Sequence, residues 1–164
     1  MLVRLARSAD ALAVETIRVR GWQAAYRHIL PPAELDALQI DATRWRARLA
    51  APPAGWTTFV AECDTAVVGF ASAGPSRDES GLGELYAIYV EPSAWSRGTG
   101  HALIECAEEH LARTYTAAAL WVLTANARAR SFYEREGWQA DGAVKTQDRW
   151  GAAVEELRYR KLLD

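Results

Sequence analysis

The sequence predicts an α/β (α+β) fold: a mixed sheet of about seven strands with helices on both faces. Three observations carry this. Short runs rich in β-branched and aromatic residues are interspersed with longer segments of helical period. A meander of three such runs occupies the middle of the chain, after a helical half and before a strand–helix–strand alternation. Half of the 164 residues are hydrophobic and 24% are charged, a globular balance that can bury a core without staples. One domain over residues 1–164 is expected.

Taken in order, LVRLA (Leu2 to Ala6) alternates like a short strand. Ser8 is a good N-cap, and Ala11 to Ile29 reads as a helix stopped by Pro31-Pro32. A second helical stretch covers Pro32 to Ala50 and ends at Pro52-Pro53-Ala54-Gly55. WTTFVAEC (Trp56 to Cys63) and AVVGFASAG (Ala66 to Gly74) form a hairpin around Asp64-Thr65. After the turn-rich GPSRDESGLG, GELYAIYV (Gly83 to Val90) closes the meander. A helix starts near Thr99, with Leu103, Ala107 and Leu111 on one face and Glu105, Glu108 and Glu109 on the others. ALWVLT (Ala119 to Thr124) is an apolar strand. Asn126 caps a helix running to about Glu136, which Gly137 ends. Two strands follow, near Gln139 to Thr146 and Val154 to Leu162.

Composition excludes several classes. A net charge of −2 gives no support for a nucleic-acid partner. Cys63 and Cys106 make neither a disulfide framework nor a metal site, and His28, His101 and His110 lack ligand spacing. No run approaches a membrane span, and the first residues have no signal-peptide pattern, so a cytoplasmic protein is expected.

The chemistry concentrates in WSRGTGHAL (Trp95 to Leu103), a glycine turn between a strand and a helix. A helix N-terminus offers unsatisfied N–H donors and partial positive charge, so it attracts phosphate. Gly98 and Gly100 let an anion approach the backbone. Arg97 and His101 add charge, and Ser96 and Thr99 add hydroxyls. On the turn alone, an anion site and a plain strand-to-helix connection stand about even. The turn is neither a P-loop nor a dinucleotide fingerprint: no Gly-Lys-Ser/Thr follows, and the third glycine is missing.

The surrounding order adds to this. Val90-Glu91-Pro92, the glycine turn, LWVLTAN and SFYEREGW (Ser131 to Trp138) together resemble the GNAT acyltransferase family, and the element order from Leu2 to Leu162 resembles it too. The resemblance implies a mostly antiparallel GNAT-type sheet and a turn that holds the pyrophosphate of coenzyme A, with acetyl-CoA as donor. It assigns Ile88, Tyr89 and Val90 to the cofactor strand, with the Ile88 N–H on the thioester carbonyl and Val90 on the pantetheine arm. It adds Asn126 and Tyr133 to the cofactor contacts. The family's first Arg/Gln position falls on Trp95, which cannot pair with phosphate as arginine does; Arg97 and the backbone donors are left to hold the anion.

Acyl transfer to an amine needs a polarised carbonyl, a neutral amine and an acid for the departing thiolate. In a regular strand Glu84, Tyr86, Ile88 and Val90 share a face. Glu84 is the carboxylate of an otherwise apolar strand and the candidate base; the alternative is a solvent-edge glutamate. Tyr133, protonated at neutral pH, is the candidate acid; the alternative is a half-buried helix tyrosine. Trp22 and Tyr26, four residues apart, share a helix face that in the GNAT fold roofs the acceptor cleft. Core packing is the stronger reading of that pair, as it is of Trp45, Trp56, Trp121, Trp138 and Trp150. Glu84 and Tyr86 complete the expected acceptor contacts.

The expected activity is direct N-acetyl transfer in a ternary complex to a primary amine of a small molecule or peptide. A coenzyme A-binding sensor without catalysis and a thioester hydrolase acting through Glu84 are the alternatives. A strand edge offers a route to a homodimer that nothing in the sequence establishes.

Overall fold

The computed structural model describes residues 1–163. In chain order the elements are β1 (Leu2–Leu5), α1 (Ala11–Ala25), α2 (Pro32–Asp36), α3 (Thr43–Ala50), β2 (Thr57–Cys63), β3 (Ala66–Pro75), β4 (Gly83–Val90), α4 (Thr99–Ala112), β5 (Ala117–Leu123), α5 (Ala127–Arg135), β6 (Gln139–Arg149) and β7 (Ala152–Leu162). The strands form one sheet in the order β1-β2-β3-β4-β5-β7-β6. Every pairing is antiparallel except β4 with β5. The expected mixed, mostly antiparallel sheet with two helical layers is what forms.

On one face α4 and α5 cover the sheet. Leu103, Ala107 and Leu111 are buried against Leu85, Leu120 and Tyr159, as their four-residue spacing requires. On the other face α1 and α3 bury Val14, Ile17 and Trp45 against Val60 and Phe70. A third cluster joins Leu30 and Leu35 to Leu123 of β5 and Val154 of β7.

Several boundaries differ from the sequence reading. Ser8 opens a short 3₁₀ turn, and the Asp10 carboxylate accepts the Arg7 N–H at 2.7 Å and pairs with Arg4 at 2.8 Å. Helix α1 stops at Ala25, four residues before Ile29, in a turn where Leu30 N–H donates to the Tyr26 carbonyl at 2.8 Å. Leu30 is buried and precedes proline, which disfavours helical geometry. The stretch from Pro32 to Ala50 is two helices, because Leu35 and Trp45 bury into different clusters. The Asp41 carboxylate restarts the second by accepting the Thr43 N–H at 2.9 Å. Strands β6 and β7 are longer than expected and meet in a tight turn with Trp150 at φ +55° and Gly151 at φ +78°. Tryptophan is no turn former; the signs of the turn are Gly151 and Asp148, whose carboxylate accepts the Gly151 N–H at 3.1 Å.

Two irregularities in β4 matter most. Ala87 pairs with Ser72 while Leu85 pairs with Ala73, so Tyr86 is an extra residue in a bulge. The expected common face of Glu84, Tyr86, Ile88 and Val90 is therefore corrected. Ile88 and Val90 join Leu85 on the α4 face, and Ala87 and Tyr89 pack on the α1 face. Glu84, next to Leu85, falls on the α1 face as well. Second, β4 pairs with β5 only at Gly83–Ala118 and Glu84–Ala119. Beyond Glu84 the strands diverge, and a cleft of about 860 Å³ opens between them.

Candidate active site

The divergence turns backbone donors into the cleft. Glu91 N–H donates to the Val68 carbonyl of β3 at 2.8 Å. Alternation then directs Tyr89 N–H to β3 and the N–H groups of Ile88 and Val90 to the gap. The Val90 carbonyl on that side accepts the Trp95 indole N–H at 2.8 Å.

The turn after β4 meets the cleft at its α4 end. Ser96 and Gly98 both have left-handed backbone, at φ +60° and +82°. Gly98 is the N-cap of α4 and contributes no capping side chain, and no side chain caps the helix. Ala102 N–H is the first intrahelical donor, to the Gly98 carbonyl at 3.0 Å, so the N–H groups ahead of it are left for another acceptor. A Cβ on Gly100 would lie 3.2 Å from the Phe132 ring, so glycine here permits close approach of α4 and α5. Uncapped donors beside Ser96, Gly98 and Gly100 in the cleft wall fit an anionic phosphate arm.

The side chains of the turn divide. Ser96 and His101 line the cleft, while Arg97 is exposed outside its wall. Thr99 is buried, its methyl group beside Gly69 of β3. The His101 Nδ1 stands 2.9 Å from the Glu136 carboxylate, and that hydrogen bond raises the imidazole pKa. The cation missing at Trp95 arrives from α5: the Arg128 guanidinium lies 3.9 Å from the centroid of the Trp95 ring, in the cleft wall. Sequence reading did not single out Arg128; its place two residues after Asn126, on the helix facing the turn, is the signal that marks it. Asn126 caps α5 as expected, accepting the Ala129 N–H at 3.1 Å, and lines the cleft.

Tyr133 is buried at the floor of the cleft, and burial raises its pKa, with Tyr89 adding to the effect. Its hydroxyl makes no hydrogen bond to the described residues. The phenol stays protonated across the neutral range.

The opposite face holds the aromatic residues. Trp22 and Tyr26 meet edge to face at 5.4 Å, pack on the Leu30–Leu35 cluster and line the cleft, so wall and core are one surface there. Trp22 Nε1–H donates to the Tyr89 hydroxyl at 2.8 Å. Tyr86 stacks on Trp56 at 4.0 Å and donates its hydroxyl to the Pro75 carbonyl. Trp121 lines the cleft and donates to Asp78 at 2.9 Å, and Trp150 is 41% exposed; neither is the plain packing residue expected.

Glu84 is 1% exposed and does not line the cleft. One carboxylate oxygen accepts the Arg77 N–H at 2.8 Å and the other takes the Arg77 guanidinium. Arg77 itself lines the cleft, so it stands between Glu84 and the open space. Two carboxylates line the cleft directly: Glu136, held by His101 at the α4 end, and Glu156 of β7 on the opposite face. Sequence reading did not single out Glu156. Its Oε2 accepts Gln147 Nε2–H at 2.7 Å and lies 3.6 Å from Lys145 Nζ. Its Oε1 has no partner among the described residues.

The Acetyltransferase (GNAT) family profile matches residues 19–138, which include β4, the glycine turn, α4, β5 and α5. The chain belongs to the GNAT acetyltransferase family. This acetyltransferase is 33% identical over 130 residues to the uncharacterized N-acetyltransferase YuaI of Bacillus subtilis, covering 76% of this chain and 72% of that one. Its fold is also that of YncA from Salmonella typhimurium, solved with its cofactor acetyl-CoA (TM-score 0.78, 21% identity, 100% of this chain and 94% of that chain). A ribosomal-protein-alanine N-acetyltransferase from Brucella melitensis superposes with TM-score 0.74 at 26% identity, over 99% of this chain and 100% of that one. Acetyl-CoA is the acyl donor of the GNAT family. No helix among the described residues is long and apolar enough to cross a membrane.

Proposed function

We propose that this chain is one N-acetyltransferase domain that moves an acetyl group from acetyl-CoA directly to a primary amine, with donor and acceptor entering the β4–β5 cleft from opposite faces of the sheet. The observation that carries this is the divergence of β4 from β5 beyond Glu84, next to the uncapped start of α4. Acetyl-CoA bound there supplies the acetyl group as a thioester.

The chain's own groups have distinct tasks. Ser96, the N–H groups at Gly98, Thr99 and Gly100, and the Arg128 cation hold phosphate; Arg97 and His101 add positive charge around the turn. The Val90 N–H and Asn126 position the pantetheine arm, and Tyr89 supports that strand from behind. The Ile88 N–H faces the gap as a donor for a carbonyl oxygen. Tyr133 holds a proton at its hydroxyl for the departing sulfur.

The acceptor lies under Trp22 and Tyr26, against Tyr86. The acceptor amine must lose a proton to become nucleophilic, and a carboxylate on this face receives it. Glu84 does so when Arg77 swings aside or a water reaches past it. The free Oε1 of Glu156 favours a second reading, in which Glu156 receives the proton without rearrangement.

A thiol-release assay over an amine panel tests the activity. Release of coenzyme A that requires an amine, with a matching acetylated product, is the expected result. Release at the same rate without an amine marks a thioester hydrolase, and binding without release under any condition marks a sensor.

A further inference from the structure

The acceptor wall of the cleft is built by the β6–β7 hairpin. Lys145, Gln147 and Arg149 alternate along β6 and so share one face, and Glu156 lies directly opposite Lys145 on β7. All four line the cleft. Cations on this side are mostly neutralised in place. Arg77 is paired with Glu84, Lys145 lies 3.6 Å from Glu156, and Arg158 binds Asp141 at 2.8 Å. Arg149 alone among them has no carboxylate within reach in the described residues. It is half-buried and lies over the Trp22 ring, its guanidinium carbon 5.2 Å from the ring centroid. The ring holds the guanidinium by a cation–π contact and leaves its N–H fork without a carboxylate partner, open to an anion from the cleft.

The backbone beside it supports a dedicated role. Trp150 adopts φ +55°, a left-handed conformation that bulky residues rarely enter. Its ring meets Trp22 edge to face at 5.9 Å. That contact ties the hairpin tip to α1 and fixes Arg149 over the cleft.

We propose that the acceptor is an amine carrying a carboxylate on the same small molecule, an amino-acid-like compound, and that Arg149 anchors the carboxylate. The carboxylate takes the guanidinium as a two-pronged partner, and the amine is left to face Glu156 and the gap in the sheet. This specificity rests on the acetyltransferase reading above and narrows its acceptor.

The test is thiol release from acetyl-CoA with the common amino acids, each beside its amide and its decarboxylated amine. L-phenylalanine, phenylalaninamide and phenethylamine make one such set. Wild type, Arg149→Gln and Arg149→Lys are compared, and calorimetry with acetyl-CoA is run on each. At least one acid should be preferred over its amide and amine by about tenfold or more, the worth of a charged hydrogen-bonded contact. Arg149→Gln should shrink that ratio to about twofold through KM, Arg149→Lys should recover part of it, and acetyl-CoA affinity should not change in either. Equal use of amides and amines, a preference that survives Arg149→Gln, or acetylation of none of the acids would each overturn the proposal. Failure of wild type to bind acetyl-CoA would instead remove the acetyltransferase reading on which it rests.

Discussion

The Arg128 guanidinium stacks on the Trp95 ring at 3.9 Å, and the same indole donates its N–H to the Val90 carbonyl at 2.8 Å. One tryptophan thus closes a free acceptor of the diverging strand and seats a cation from α5 beside the glycine turn. Removing either partner should weaken acetyl-CoA binding. Arg128→Ala and Trp95→Ala are each expected to raise Kd about tenfold by calorimetry, and Arg128→Lys by less. Trp95→Arg should bind at least as tightly as wild type, because it restores a cation at the turn itself. Unchanged Kd in Arg128→Ala would remove Arg128 from the cofactor site.

Gly98 is needed for its backbone and not for space, since nothing lies within 4 Å of where its Cβ would be. At φ +82° an alanine costs about 1–2 kcal/mol. Gly98→Ala should therefore lower thermal stability and loosen acetyl-CoA binding together. Gly100→Ala should act differently, by pressing on Phe132 and parting α4 from α5. Chemical denaturation and calorimetry on both variants separate the two effects.

Tyr133 should act in the chemical step. Tyr133→Phe removes the hydroxyl and is expected to lower kcat by about a hundredfold, the lower end for a positioned acid, with acetyl-CoA affinity nearly unchanged. Its folded-state pKa is raised, so the phenol remains protonated below about pH 10 and is lost only above it. The wild-type rate should show no alkaline decline from this residue up to that pH. By the same sign, whatever stability the buried neutral phenol contributes is present below that pH and lost as pH rises through the raised value.

The two carboxylates of the acceptor face separate by stability as well as rate. Glu84 is buried in its pair with Arg77, and breaking a buried pair leaves an uncompensated charge. Arg77→Ala should cost about 2 kcal/mol, less than a fully buried pair because Arg77 is half exposed. Glu156→Gln should cost less, because the Lys145 it leaves unpaired is partly exposed and lies 3.6 Å away. If Glu156 receives the proton, Glu156→Gln lowers the rate and alters the pH–rate profile while Glu84→Gln acts mainly on stability. If Glu84 receives it, the kinetic loss falls on Glu84→Gln. Urea unfolding beside the pH profiles decides between them.

Local rules reached far into this fold. The strand pattern of GELYAIYV, the four-residue period after Thr99 and the Asn126 cap each follow from nearby residues, and each is present. The break at Ala25 and the split of the second helix were not legible, because distant partners of Leu30, Leu35 and Trp45 decide them. The Tyr86 bulge was hidden for a related reason: it is a mismatch between β3 and β4 and leaves no trace in either strand alone. That mismatch sets Glu84 apart from Ile88 and Val90. The glycine turn was legible as a turn, but Arg128, 33 residues from Trp95, becomes its cation only when α5 packs beside α4. Glu156 and Arg149 sit in ordinary alternating strands, and only the sheet order β5-β7-β6 brings them to the cleft.

The first measurement is calorimetric titration of the purified protein with acetyl-CoA, with free coenzyme A and ATP as controls. Saturable binding of acetyl-CoA, tighter than that of ATP and weakened in Arg128→Ala, is the expected result. Absence of binding at millimolar acetyl-CoA would contradict the placement of the donor at the uncapped start of α4, and with it the assignment of the β4–β5 cleft as the site of acetyl transfer.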